Sequence, residues 1–390
     1  MISIFSHYRY LLGSALLSAA LAVAFTATSP FPLDDHHLYQ AFVVALASGS
    51  LDLSIAGFHG SDIFAVPIHW ITASPISQIY LQILAGILIP LLGYAAGLRL
   101  FFSRKEAFLF ACILGLMPFI IFPGLRGWTG SAYFCLMLSS IALVKKVPIA
   151  SGVLFALAIL TKPFAVVLAP LLWLLLPDVR SKKIQWFVLP GLIVLAYLIL
   201  QYIQAGQIMI GAHPDLSVGT AMQGPKRIIM NIAHGMQILF SVHNYYYPDP
   251  ALTGPGNMMH TSPVLTFLGL FAILSKDFWS VKWRRALLLG FIIGMGLNAL
   301  LDHMDHYYMD AGILVLIIAS IPVLARMPLW IPIALATLHF QWLYFWLEFV
   351  TNFNLSFPFF APLVLVDLFF IGFCLAQRKK IYGTLRELLT

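Results

Sequence analysis

Long apolar runs, interrupted by short polar or basic stretches, dominate this chain. A transmembrane helix needs about 20 mostly apolar residues to cross a hydrocarbon core of about 30 Å, and by that measure about twelve segments are predicted to span. They are 10–28, 76–98, 106–123, 129–144, 148–162, 164–177, 185–204, 262–275, 285–301, 310–325, 329–347 and 356–376. The fourth to sixth are short. The fifth and sixth meet at Thr161-Lys162-Pro163, a place for a broken or re-entrant segment, since proline cannot donate to a helix. Between the first two spans, Leu38–Ala47 has helical spacing and ends at Gly49. It is too short to cross after its polar start and is predicted to lie in the membrane interface.

Composition agrees with the pattern. Hydrophobic residues make up 61% and charged residues 9%, which excludes a soluble domain of this length. The expected fold class is therefore all-α and polytopic, a single transmembrane domain over residues 1–390. Its outer loops are expected at about 29–75 and 205–261.

Charge orients the spans. Arg9, Arg99, Arg104, Lys105, Lys145, Lys146, Arg180, Lys182, Lys183, Lys276, Lys282, Arg284, Arg285, Arg326 and the basic residues from Arg378 to Arg386 fall on one side. The positive-inside rule makes that side cytoplasmic, with both termini inside, in a bacterial inner (plasma) membrane. The net charge of +7 is thus a topology signal, and its dispersal in short loops argues against a nucleic-acid partner. Arg126, Lys162, Lys226 and Arg227 are the basic residues that remain on the outer side. The three cysteines fall in predicted spans without metal spacing and read as packing residues.

The outer side collects acid and histidine instead. Asp34-Asp35-His36-His37-Leu38-Tyr39 opens the interfacial helix with two adjacent carboxylates, which repel each other and are costly beside a bilayer. One can cap the helix, whose dipole would hold a carboxylate ionised; a cap needs one Asp, and the second calls for general-base chemistry or cation binding. The run Asp302–Asp310 contains Asp305, His306, Tyr307 and Tyr308 and is expected to face the same cavity. Its spacing is a weak metal signal and reads equally as a polar turn. Tyr245, Tyr246 and Tyr247 suit an interfacial aromatic belt or sugar stacking.

In this order of elements the chain resembles the GT-C superfamily, the integral-membrane glycosyltransferases that use polyprenyl-phosphate sugars. The resemblance rests on the Asp34-Asp35 pair and the helix after it, the stretch from Gly152 to Pro163, and the late turn Asp305-His306-Tyr307-Tyr308. His306-Tyr307 stands where such families often carry Arg-Tyr. The resemblance implies an inverting glycosyltransferase that moves a sugar from a polyprenyl-phosphate donor to a lipid or lipid-linked glycan acceptor at the outer face. Asp34 or Asp35 would be the general base, and Arg126, Lys162, Lys226 and Arg227 the candidates for the donor phosphate. His36, His37, Tyr39, Asp305, His306 and Tyr307 would line the substrate cavity. No cofactor is specified; relatives differ in needing a divalent metal. No Gly-rich nucleotide-binding loop is present, which disfavours a nucleotide-sugar donor. The rival reading is a polytopic transporter or lipid-linked-sugar flippase, suited by Asp367 inside the last span but opposed by the outer-rim position of most polar groups.

Overall fold

The computed structural model of the chain describes residues 2–26, 36–55, 57–101, 103–117, 129–208, 263–299 and 310–326, with isolated residues beyond these. Within them the regular secondary structure is helical. In chain order the helices are α1 (Ile2–Thr26), α2 (His36–Ala47), α3 (Ala65–Thr72), α4 (Ser77–Leu100), α5 (Arg104–Leu116), α6 (Gly130–Leu143), α7 (Pro148–Ile159) and α8 (Ala169–Leu175). They continue with α9 (Arg180–Ala205), α10 (Pro263–Leu274), the short α11 (Lys276–Ser280), α12 (Lys282–Ala299) and α13 (Asp310–Arg326). Among the described residues, α4 and α9 are long and apolar enough to cross a membrane. The predicted spans 329–347 and 356–376 lie outside the described residues, so twelve crossings are not established.

Small residues let α4 and α5 approach closely. A Cβ on Gly97 would lie 2.7 Å from Ala107 Cα, and one on Gly93 3.2 Å from Ala111 Cα. Residues four apart share a helix face, so these two pairs form a continuous seam of the kind used for packing in lipid, where there is no hydrophobic drive between helices. Tyr94 is buried against Ala107 and Ala111 of the same seam. α6 packs on the other side of α4, and α7 joins α6 and α9. The α6–α7 contact is fastened by a reciprocal pair: Ser140 Oγ donates to Ser151 O and Ser151 Oγ to Ser140 O, each at 2.9 Å. Trp186 of α9 stacks on Phe155 of α7 with ring centroids 5.4 Å apart.

The predicted interruption at Thr161-Lys162-Pro163 is present. α7 has 12 residues, a length of ~18 Å at ~1.5 Å per residue, short of the ~30 Å core. Lys162, the residue before the proline, is extended at φ −145°, ψ 117°, as the proline ring requires. A 3₁₀ segment, Pro163–Leu168, then leads into α8.

At one end of the bundle, the basic loop residues also serve the helices. Lys105 Nζ donates to Ala325 O at 2.7 Å, in the last turn of α13, and Arg99 Nε to Ala142 O at 3.2 Å, in the last turn of α6. Cations there meet the carbonyl ends of helices, where the dipole favours them. Ser103 and Glu106 form a capping box at the start of α5, with Glu106 N–H donating to Ser103 Oγ at 3.1 Å and Ser103 N–H to Glu106 Oε2 at 3.0 Å. Such a cap is worth ~1 kcal/mol.

Candidate functional site

The candidate site is built around α2. The helix starts at His36, directly after the acidic pair in sequence, and is followed by Gly49 in the left-handed region at φ 87°. This matches the expected short helix and its stop at Gly49. The segment after it holds a further short helix, α3, that the periodicity did not suggest: Pro67 sits in its first turn, where a missing N–H costs nothing. Trp70 Nε1 of α3 donates to Ala47 O at the end of α2 at 3.0 Å. Gln40 of α2 clamps the start of α4. Its Nε2 donates to Ser77 Oγ at 2.9 Å, and its Oε1 accepts from Gln78 N–H at 3.0 Å.

An open cavity of ≈ 630 Å³ lies along α2, lined by His36, His37, Gln40 and Ala41 on one side and Asp52 and Ile55 on the other. Burial, and then the neighbouring His37, push the His36 imidazole below its ordinary value of 6.5. Asp52 Oδ1 accepts from the N–H and the hydroxyl of Ser54, so its carboxylate is partly committed to its own turn.

Beneath the cavity is a buried polar layer. His59 Nδ1 lies 2.9 Å from Asp62 Oδ2, and both side chains are fully buried. The His59 ring lies parallel to Phe42 of α2, with centroids 4.2 Å apart and planes at 6°, and meets Tyr39 edge-on. Burial pushes the Asp62 carboxyl up, against the opposing influence of His59, Gln78 and Ser61. Those neighbours do not complete its hydrogen bonding: Asp62 Oδ1, Ser61 Oγ and both amide atoms of Gln78 are buried without a hydrogen-bond partner.

Two other helices hold this loop. Gly60 N–H donates to Leu160 O at 2.8 Å, just past α7. From α9, Gln201 Nε2 and Tyr197 Oη donate to Gly57 O, Gln204 Nε2 donates to Leu51 O, and Gln204 Oε1 accepts from Leu53 N–H. These residues recur at helical spacing, giving α9 one polar edge. Its remaining surface is apolar and exposed at Phe187, Leu192 and Ile203, the face lipid would cover.

His36 and His37 line this cavity, while Tyr39 packs against His59. Lys162 stands at the α7 break, with its Nζ 5.5 Å from the centre of the Tyr133 ring. Asp34, Asp35, Arg126, Lys226, Arg227, Asp305, His306 and Tyr307 lie outside the described residues. Among the described residues, no three His, Cys, Asp or Glu side chains converge as metal ligands.

No protein-family model and no curated protein matches the chain. Solved structures that resemble it include the apo crystal structure of the oligosaccharyltransferase of Archaeoglobus fulgidus, at 13% identity and a TM-score of 0.45. The alignment covers 97% of this chain and 55% of that one. A second is the archaeal oligosaccharyltransferase AglB from the same organism, in complex with an inhibitory peptide and a dolichol-phosphate. It aligns at 13% identity and a TM-score of 0.47, covering 99% of this chain and 56% of that one. The chain spans little more than half the length of either. At this identity and TM-score, the likeness transfers no chemistry to this chain.

The buried pair has a faint signature in sequence: His59 and Asp62 one turn apart around Gly60, in a segment otherwise rich in apolar residues. The pattern His-Gly-Ser-Asp does not by itself separate a solvated turn from a buried one.

Proposed function

We propose that the chain is a polytopic membrane glycosyltransferase of the GT-C type, moving a sugar with inversion from a polyprenyl-phosphate donor to a lipid or lipid-linked glycan at the outer face. The observation that carries this reading is α2: a short helix, begun directly after Asp34-Asp35, whose first turn lines an open cavity. A helix N-terminus keeps a nearby carboxylate ionised and so fit to act as a base.

In the proposed reaction, Asp34 takes the proton of the acceptor hydroxyl as that oxygen attacks the anomeric carbon. The bond from that carbon to the phosphate oxygen breaks, and polyprenyl phosphate leaves with the electron pair. Arg126 is the first candidate to stabilise the leaving phosphate, because a guanidinium meets it bidentately and stays charged near lipid. Lys162 is the second candidate, with Lys226 and Arg227 after it. Support for Lys162 comes from its position two residues beyond Leu160, the residue that anchors the loop of the buried pair.

Mass spectrometry of envelope glycolipids from cells with and without the protein tests the reading and names sugar and acceptor together. Asp34→Asn should abolish transfer in an inserted, folded protein, with Asp35→Asn less damaging. Arg126→Ala should weaken donor binding and turnover. Unchanged glycolipids on deletion, or full activity in the Asp34→Asn/Asp35→Asn double variant, would remove this function.

A further inference from the structure

The mechanism above makes no use of His59 and Asp62, yet these are the most deeply buried titratable groups beside the cavity. Their hydrogen bonds define their protons. Ile55 O lies 3.4 Å from His59 Nε2 and can only accept, so Nε2 carries a proton. On the other side, Asp62 Oδ2 is 2.9 Å from Nδ1, while Asp62 Oδ1 is buried with no hydrogen-bond partner. Burial is the largest influence on this carboxyl and disfavours its ionised form, against the opposing hydrogen bonds of His59, Gln78 and Ser61. The less costly arrangement has Asp62 donating Oδ2–H to Nδ1 and His59 donating Nε2–H to Ile55 O.

A ring fixed at both nitrogens cannot turn. It presents its flat face to Phe42 and its edge to Tyr39, both on α2. Its second hydrogen bond ends on Ile55, which lines the cavity together with His36 and Gln40. Gly60, between the two members of the pair, ties the loop to the end of α7. The pair therefore joins the underside of α2 to the broken helix.

We propose that His59 and Asp62 are a positioning pair, a buried hydrogen-bonded unit that fixes the roll of α2 and so the angle at which its first turn meets the cavity. The consequence for sugar transfer rests on the function proposed above; the hold on α2 does not.

The test uses the full chain in lipid nanodiscs, with hydrogen exchange read on α2 and, as internal reference, on α4. Sugar transfer from a polyprenyl-phosphate donor is measured in parallel. Asp62→Ala should speed exchange of α2 by about tenfold, the effect of one lost buried hydrogen bond, and should lower kcat with little change in donor KM. Asp62→Asn should bring both back to within about threefold of wild type, because its amide N–H donates to Nδ1 as the acid does. Unchanged α2 exchange in Asp62→Ala would overturn the proposal. So would an Asp62→Asn protein with protected α2 but activity as low as Asp62→Ala, which would make Asp62 a reacting group. Should Asp62→Ala fail to fold, Phe42→Leu weakens the stack from the α2 side and must loosen α2 in the same way; unchanged exchange there overturns the pair as well. Variants that show the exchange effects beside a wild-type protein that transfers no sugar would remove the proposed function and leave the positioning pair standing.

Discussion

Gly60→Ala is the substitution with the most defined consequence. The new Cβ would clash with Leu157 O and lie 2.8 Å from both the carbonyl carbon and the Cβ of Leu160. Two of these three atoms are backbone, and Leu157 O is also held by the Thr161 hydroxyl at 2.7 Å, so no flexible tip can swing aside. The loop must lift, and the 2.8 Å bond from Gly60 N–H to Leu160 O goes with it. Overpacking costs about 1–3 kcal/mol and a lost buried hydrogen bond about 1 kcal/mol. Against this, reduced freedom of the unfolded chain returns about 0.4–1 kcal/mol. The net expectation is a destabilisation of about 2 kcal/mol. Gly191→Ala is the matched control: it lies within α9, has nothing within 4 Å of its added Cβ, and should be neutral or stabilising. Apparent melting temperatures of the purified protein in detergent, at one scan rate, read both variants. Gly60→Ala should melt several degrees below wild type and Gly191→Ala at or above it. A Gly60→Ala protein that melts with wild type would refute the close approach of the loop to α7.

Two further outcomes are expected. His36 has its affinity for protons lowered by the fold, so the unfolded chain binds the proton more readily; stability is fully present above the ordinary value of 6.5 and is lost as pH falls through the lower folded value. Melting temperature should therefore drop between pH 8 and pH 5 (about that window) more in wild type than in His36→Gln, and an equal drop in the two would remove His36 from the acid response. For topology, a cysteine at exposed Ser54 should react with a membrane-impermeant reagent in intact cells while one at the C-terminus should not, and the reverse pattern would invert the orientation.

The choice of Ser54 illustrates where sequence reading stops. Gly60 lies in the polar segment 29–75 and reads as an ordinary exposed loop position for such a label. The structure buries it against α7, so a cysteine there would displace the loop and sit out of reach.

Elements whose cause is local were legible in the chain. The apolar runs of α4, α9, α12 and α13 mark helices because apolar length is what a bilayer selects, and their bounds fall close to those predicted. Lys162-Pro163 ends α7 because proline lacks a donor and drives the preceding residue out of the helical region. Gly49 follows α2 because its positive φ costs glycine nothing. Local reasoning also placed His36 and His37 at the start of a short helix. It did not find the His59–Asp62 pair. Phe42 stacks on His59 and Gln78 neighbours Asp62, while Leu160 and Gln201 hold the loop backbone at Gly60 and Gly57; these residues are far apart in the chain, and no spacing in the segment 57–62 encodes them. Hydropathy places Asp62 on the outer side of the membrane and is silent on its burial. Tertiary packing buries it, because the helices that close over it bury more apolar surface than one hydrogen-bonded pair costs to enclose.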